Sequence, residues 1–291
     1  MFVAVLLADP ARKALDHATV TALRNAWGGG EVLWLDPGVA AEFTLHAIPE
    51  NRWEVWADLQ SMGIDLCVVP AGGRRKRLLL ADMDSTMIAQ ECIDELAAEA
   101  GVGAQVAATT ARAMNGEIGF EGALRERVAL LAGLDAAVIE RVFANRITMM
   151  PGARTLVATM RANGARAALV SGGFTAFTER VAAVLGFDEH RANVLDVDAG
   201  ALTGTVREPI LGREAKVAAL AEITARIGIT AADVLAVGDG ANDLGMLQAA
   251  GLGVAAHAKP SVAAQVDCRI NHGDLTALLY LQGYARTDFR E

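Results

Sequence analysis

This sequence predicts two α/β units: a small one of order βαββαβ, then a larger one built on a parallel sheet with crossover helices. Three observations predict it. From residue 78 onward, apolar runs of strand length alternate with stretches of helical periodicity. Polar residues of unusual kind stand where several of those strands end. Ahead of them, a compact set of strand and helix patterns closes at Gly72-Gly73, which reads as a linker.

In the first unit, "FVAVLLA" (2–8) reads as a strand and 12–27 as a helix broken by three glycines at 28–30. Residues 31–35 and 41–47 read as strands joined through Asp36-Pro37-Gly38, a turn signal. Residues 52–63 fit a helix with a glycine stop, and 64–70 a last strand. This is a split βαβ order. The basic run "RRKR" (74–77) is short in an acidic chain. It reads as a solvated lead-in to a buried strand rather than a nucleic-acid patch.

In the second unit, "RLLLAD" (77–82) is a strand. Residues 91–147 carry only helical periodicity, with breaks near Gly101-Gly103, Asn115-Gly116 and Gly133. That is too long for one crossover and reads as an inserted helical cap. Then follow a helix (153–164), a strand (165–171), a helix (177–186), a hairpin (193–208) turning at Asp198-Ala199-Gly200, a helix (215–228), a strand (233–239), a helix (244–251) and a strand (252–256). The predicted fold is a Rossmann-like parallel sheet core, 74–88 and 148–291, with a helical cap at about 89–147 and a separate unit at 1–73.

The chain has 291 residues, 53% of them hydrophobic and 21% charged, enough to bury a substantial core. Aromatic residues are 5%, so aliphatic side chains must fill that core. The formal net charge of −9 argues against a general nucleic-acid binder. Cys67, Cys92 and Cys268 form no CxxC pair and read as free thiols of a reducing, cytoplasmic compartment. No basic segment precedes the first apolar run, so a signal peptide is not expected, and no apolar run approaches the ~18 residues of a membrane span.

In open α/β sheets, ligands sit outside the carboxyl ends of the strands. Three such ends here are "DMDST" (82–86), "SGGF" (171–174) and "GDGAND" (238–243). Asp82 and Asp84 repel one another unless a cation or shared proton intervenes, and a hard cation such as Mg2+ suits oxygen ligands. Against this stands a strand-ending, helix-capping role for the two acids. Asp239 and Asp243 form a second acidic cluster, with Gly238 and Gly240 read as permitting a tight turn. Ser171 and its glycines suit an anion site at a helix start, or a plain turn. Lys216 offers positive charge near the start of a helix, although a solitary helix lysine is more often exposed. A phosphate-binding GxxxxGK[ST] loop, a GxSxG elbow and paired histidine spacing are all absent, and "DVDAG" (196–200) fails the calcium-loop pattern at its glycine and at Arg207.

Taken together, "DMDST", "SGGF", Lys216 and "GDGANDLGML" resemble the four motifs of the haloacid dehalogenase-like superfamily. "DMDSTMIAQECIDELA" and "GDGANDLGMLQAAGLGVA" are similar to its phosphoserine phosphatases, over about residues 76–285. The resemblance implies Mg2+-dependent hydrolysis of O-phospho-L-serine to L-serine, the last step of serine biosynthesis, through an aspartyl phosphate. Asp82 would be the nucleophile and Asp84 the acid and then the base. Mg2+ would be held by Asp82, Asp239 and the Asp84 backbone carbonyl, with Asp243 as orienter or ligand. Ser171, Gly172, Lys216 and Asn242 would bind the phosphoryl group. In the cap, Glu91 would meet the substrate ammonium and Arg127 its carboxylate, with Met114 and Phe120 as apolar walls. Asp84 itself favours ester hydrolysis over dehalogenation, because an alkoxide needs a proton and a halide does not.

The first unit is similar to ACT-type regulatory domains. Regulation and a plain dimerising role (a homodimer through that unit) stay equally open. The expected partner is a small-molecule substrate, with no nucleic acid and no membrane. Phosphotransfer to another hydroxyl, such as homoserine, and amino-acid sensing without catalysis are the other functions to separate.

Overall fold

The computed structural model describes residues 1–114 and 117–291, apart from the Met114 side chain. The first unit comprises β1 (Phe2–Ala8), α1 (His17–Ala26), β2 (Leu33–Asp36), β3 (Ala40–Leu45), α2 (Arg52–Ser61) and β4 (Ile64–Pro70). Its sheet is antiparallel, in the order β2-β3-β1-β4. Strand alternation sorts the side chains. Ala4, Leu6 and Ala8 pack with Leu23 of α1 and Leu59 of α2. Val3, Val5 and Leu7 face the other way and join the core of the rest of the chain, with Leu278 and Tyr280.

Polar clasps hold the same junction. Buried Asp65 accepts the backbone N–H groups of Asn271, His272 and Gly273 at 3.0, 2.9 and 2.9 Å. Arg74 forks onto Glu42 at 3.0 and 2.6 Å and donates to the Leu281 and Tyr280 carbonyls. The basic run is therefore not merely a solvated lead-in: its first arginine ties the two units together. Both partners are partly buried and the contact is bidentate, which makes that fork stronger than a surface ion pair.

The second unit begins with β5 (Leu78–Ala81). Four helices follow: α3 (Cys92–Glu99), α4 (Gly103–Met114), α5 (Phe120–Ala129) and α6 (Val138–Arg146). Then come α7 (Ala153–Ala162), β6 (Arg166–Phe174), α8 (Thr175–Leu185), β7 (Glu189–Asn193) and a hairpin of β8 (Leu195–Asp198) and β9 (Ala201–Val206). The chain closes with α9 (Arg213–Ile227), β10 (Val234–Gly238), α10 (Leu244–Ala249), β11 (Leu252–Ala256), α11 (Pro260–Ala263), β12 (Cys268–Ile270) and α12 (Ala277–Leu281). Six strands form one parallel sheet in the order β12-β11-β10-β5-β6-β7. β5 is central and covered on both faces. Leu78 and Leu80 meet Leu220 and Ile223 of α9, while Leu79 and Ala81 join the main core. A doubly covered parallel strand reads as an unbroken apolar run, which explains "LLLA". α3 to α6 stand between β5 and α7, where the sequence reading expects a helical cap, and the hairpin leans on them: Gly133 N–H donates to Leu202 O and Leu202 N–H to Leu134 O, each at 2.8 Å.

Three features depart from the sequence reading. β6 runs through "SGGF" to Phe174, with a register shift after Val170, so the helix begins four residues beyond Ser171. β7 and β12 are strands the pattern did not reveal, because β7 ("EHRAN") is polar and half-exposed and β12 has three residues. All three cysteines are free and buried. Among the described residues no helix is long and apolar enough to cross a membrane.

Candidate active site

β5 ends one residue before Asp82, whose N–H donates to Val237 O on the neighbouring β10 at 3.0 Å. Asp82 Oδ1 accepts the Met83 N–H at 2.8 Å and sits 2.7 Å from Lys216 Nζ. The chain then turns sharply, with Ser85 in the left-handed region at φ +55°. That turn sends Asp84 back toward the cap, where its Oδ1 accepts the N–H of Cys92, the first residue of α3, at 3.0 Å. Ser85 Oγ donates to Glu91 Oε1 at 2.8 Å, and Thr86 Oγ1 donates to Asp239 Oδ1 at 3.1 Å. The "DMDST" loop thus joins the sheet, the second acidic cluster and the cap.

Asp239 to Asp243 leave the end of β10. Neither Gly238 nor Gly240 takes a positive φ, so backbone freedom is not why glycine is needed there. Space is the reason: a Cβ on Gly238 would overlap the Asp243 carboxyl, and one on Gly240 would overlap Asn242 Oδ1. Asp243 is fully buried. Its Oδ1 lies 2.6 Å from Lys216 Nζ and its Oδ2 accepts the Gly240 N–H at 2.9 Å. Both oxygens are engaged by the protein, which suits an orienting role better than direct ligation. Lys216, which taken alone reads as an exposed helix lysine and by the resemblance as a phosphoryl-binding residue, is completely buried between Asp82 and Asp243.

Asp82, Asp239 and Asp243 are all buried, with one carboxylate oxygen of each within 4.8 Å of the others. Three carboxylates face one ammonium, so the cluster carries surplus negative charge when ionised. Burial first, then Asp243, pushes the Asp82 carboxyl well above the ordinary range, with Lys216 pulling the other way. Burial, then Asp243 and Glu91, raises Asp239 to about 6. Burial would lower the Lys216 ammonium, but Asp82 and Asp243 outweigh it and the group is raised. An all-oxygen donor set with unbalanced negative charge fits a hard divalent cation. Asp84 is separate: burial, then Glu91, raises it to about 7, against the Cys92 N–H.

Ser171 and Gly172 stand near the end of β6, and Ser171 Oγ accepts the Gly173 N–H at 2.9 Å. Gly173 gives room to Asp84: a Cβ there would lie 2.5 Å from Asp84 Oδ2. From the cap, Phe120 and Arg127 lie on one face of α5, seven residues apart. The Phe120 ring covers Gly172, within 3.2 Å of where a Cβ would be. Arg127 Nε donates to the Ala123 carbonyl at 3.2 Å. Burial lowers its guanidinium, while Asp94, Glu91 and Asp84 work to raise it.

One cavity of about 570 Å³ is lined by Asp82, Asp84, Glu91, Phe120, Arg127, Ser171, Gly172, Asp239 and Asn242. Lys216 and Asp243 lie beneath its floor. The Met114 side chain is outside the described residues. Sequence reasoning did not single out Thr86, Gly173, Arg213 or Lys259. The last three also line the cavity. Thr86 and Gly173 were legible inside "DMDST" and "SGGF", whereas Arg213 and Lys259 are visible only once the strands are assembled.

The haloacid dehalogenase-like hydrolase family model matches residues 79–248. The phosphoserine phosphatase of Streptomyces coelicolor is 43% identical over 256 residues, which is 87% of this chain and 62% of that protein. The chain thus spans less than two thirds of that relative. A HAD family hydrolase from Salmonella enterica serovar Typhi superposes with a TM-score of 0.86 at 30% identity, covering 97% of this chain and 98% of the other. A phosphoserine phosphatase holding a phospho-aspartyl intermediate analogue superposes with a TM-score of 0.66 at 41% identity, over 71% of this chain and 98% of the other.

Proposed function

This chain belongs to the haloacid dehalogenase-like hydrolase family, and from that premise we propose that it is a phosphoserine phosphatase, hydrolysing O-phospho-L-serine to L-serine and phosphate. One observation carries the reading. The acid pair Asp82 and Asp84 shares a single cavity with Glu91 and Arg127, the cap residues suited to an amino acid's two charges.

Asp82 attacks phosphorus, its carboxylate oxygen forming the P–O bond as the bond to the serine oxygen breaks. Asp84, protonated near neutral pH by its raised pKa, gives its proton to that leaving oxygen. It then takes a proton from the water that cleaves the aspartyl phosphate, and Asp82 is regenerated. The Cys92 N–H fixes Asp84 Oδ1, leaving Oδ2 to work toward the cavity. Ser171, Gly172 and Asn242 bind phosphoryl oxygens, and Lys216 holds Asp82 in place from below. Mg2+ would be held by Asp82 and Asp239, with the Asp84 carbonyl as a further ligand and Asp243 orienting the set. When bound, it offsets charge between the nucleophile and the phosphate. Glu91 pairs with the ammonium and Arg127 with the carboxylate, while Phe120 walls the site.

In the same reading, residues 1–73 are an ACT-like unit that regulates or dimerises the enzyme, and the Asp65 and Arg74 clasps support its being packed firmly on the phosphatase unit. The reading is tested by a panel of phosphomonoesters assayed with Mg2+ for free phosphate and for phosphorylated homoserine. Phosphate release with phosphoserine preferred supports it. Transfer to homoserine without free phosphate replaces it with the transferase, and serine binding without turnover replaces it with the sensor.

A further inference from the structure

We propose that Arg213 and Lys259 form a phosphate-recruiting pair at the cavity wall, drawing the anionic substrate into a site whose own charge would repel it. The proposal deepens the phosphatase reading and rests on it. The cavity carries four carboxylates, from Asp82, Asp84, Glu91 and Asp239, against the single cap cation Arg127. Lys216 does not redress this, because it is already shared between Asp82 and Asp243. The proposed substrate brings a phosphate dianion and a carboxylate against one ammonium. The whole chain, at −9, opposes its approach as well.

Arg213 and Lys259 are the other two cations that line the cavity. Both are exposed, and among the described residues neither side chain makes a hydrogen bond or a close ion pair, although Lys259 stands near enough to Asp239 to pull its carboxyl down. That contrasts with the paired surface arginines: Arg125 with Glu208, Arg180 with Glu140, Arg191 with Glu222 and Arg226 with Glu189. Both positions adjoin the site. Lys259 donates its backbone N–H to the Asp239 carbonyl at 3.2 Å, and Arg213 Nε lies 3.8 Å from the Cβ position of Gly245, just past Asp243. Arg213 is also the first residue of α9, where a cation opposes the helix dipole. Two exposed cations without a close ion-pair partner, beside an acidic cavity, focus an attractive field on an incoming dianion, an effect that acts on encounter and weakens with salt.

The test pairs kinetics with binding. With Mg2+ at low ionic strength, the Arg213→Gln/Lys259→Gln double variant loses about tenfold in kcat/KM, with kcat held. The loss is equal for phosphoserine and p-nitrophenyl phosphate, because the pair sees only the phosphate. It shrinks at about 0.5 M salt as screening shortens the field, and Arg213→Lys/Lys259→Arg restores it. Calorimetric affinity for inorganic phosphate falls in parallel. An unchanged kcat/KM, a loss that persists at high salt, or a fall in kcat alone overturns the proposal. A wild-type chain that binds phosphate through the pair yet leaves phosphoserine intact overturns the phosphatase reading instead.

Discussion

Replacing Gly173 by alanine addresses the proton donor without touching it. The new Cβ would stand 2.5 Å from Asp84 Oδ2 and 3.1 Å from Ser171 Oγ. The first separation falls short of ordinary contact by about 0.9 Å. Gly173 has no positive φ, so alanine fits the backbone, and relief comes by moving the Asp84 carboxyl. The Cys92 N–H restrains Oδ1, so the displacement falls on Oδ2, the oxygen assigned to the proton transfer. A misplacement near 1 Å costs up to about 100-fold in rate, or about 2.7 kcal/mol of barrier. The expected outcome is a kcat on phosphoserine reduced about 10- to 100-fold, with the thermal midpoint near wild type. On p-nitrophenyl phosphate the leaving phenolate needs no proton, so the burst in which Asp82 is phosphorylated is largely spared, and only the hydrolysis of the aspartyl phosphate, shared by both substrates, is slowed. Equal losses in the burst rate on both substrates, or an unchanged kcat on phosphoserine, would refute the assignment of Asp84 as the acid.

Lys216→Met strands Asp82 and Asp243 in a buried site and should cost about 3–5 kcal/mol of stability, read by denaturant unfolding of the metal-free protein. Mg2+ should raise the thermal midpoint of the wild type but not of Asp239→Asn. With Asp239 raised to about 6, protons compete with the metal below that pH, so apparent Mg2+ affinity, measured by calorimetry, holds above neutrality and weakens as pH falls through 6. Arg127→Ala should raise KM for phosphoserine far more than for p-nitrophenyl phosphate, and steady-state kinetics on the two substrates would expose equal losses.

The apolar strands and the residues at their ends were legible because a doubly covered parallel strand writes itself as a continuous apolar run, and because ligands gather at its carboxyl end. β5 and β10 could be read this way, with Asp82 and Asp239 at their tips. Burial of Lys216 could not. One lysine in a helix has no local signature, and its two partners come from separate strand ends, one of them far along the chain. The glycines of "GDGAND" were legible as necessary but not for the right reason, since a side-chain overlap with Asp243 leaves no trace in dihedral preference. Short polar β7 and three-residue β12 fall below any periodicity a sequence can show, although they complete the sheet edges. The Asp65 clasp depends on three backbone N–H groups more than 200 residues away, which no local pattern encodes.

The central claim is that Asp82 carries the phosphoryl group from phosphoserine. Its most direct test incubates the purified chain with Mg2+ and O-phospho-L-serine, following phosphate release and the mass of the quenched, acid-trapped protein. The account predicts multiple turnovers, with a phosphoryl adduct that maps to Asp82 and is absent, together with all turnover, in a folded Asp82→Asn variant. Turnover surviving that substitution, or an adduct on another residue, would contradict it.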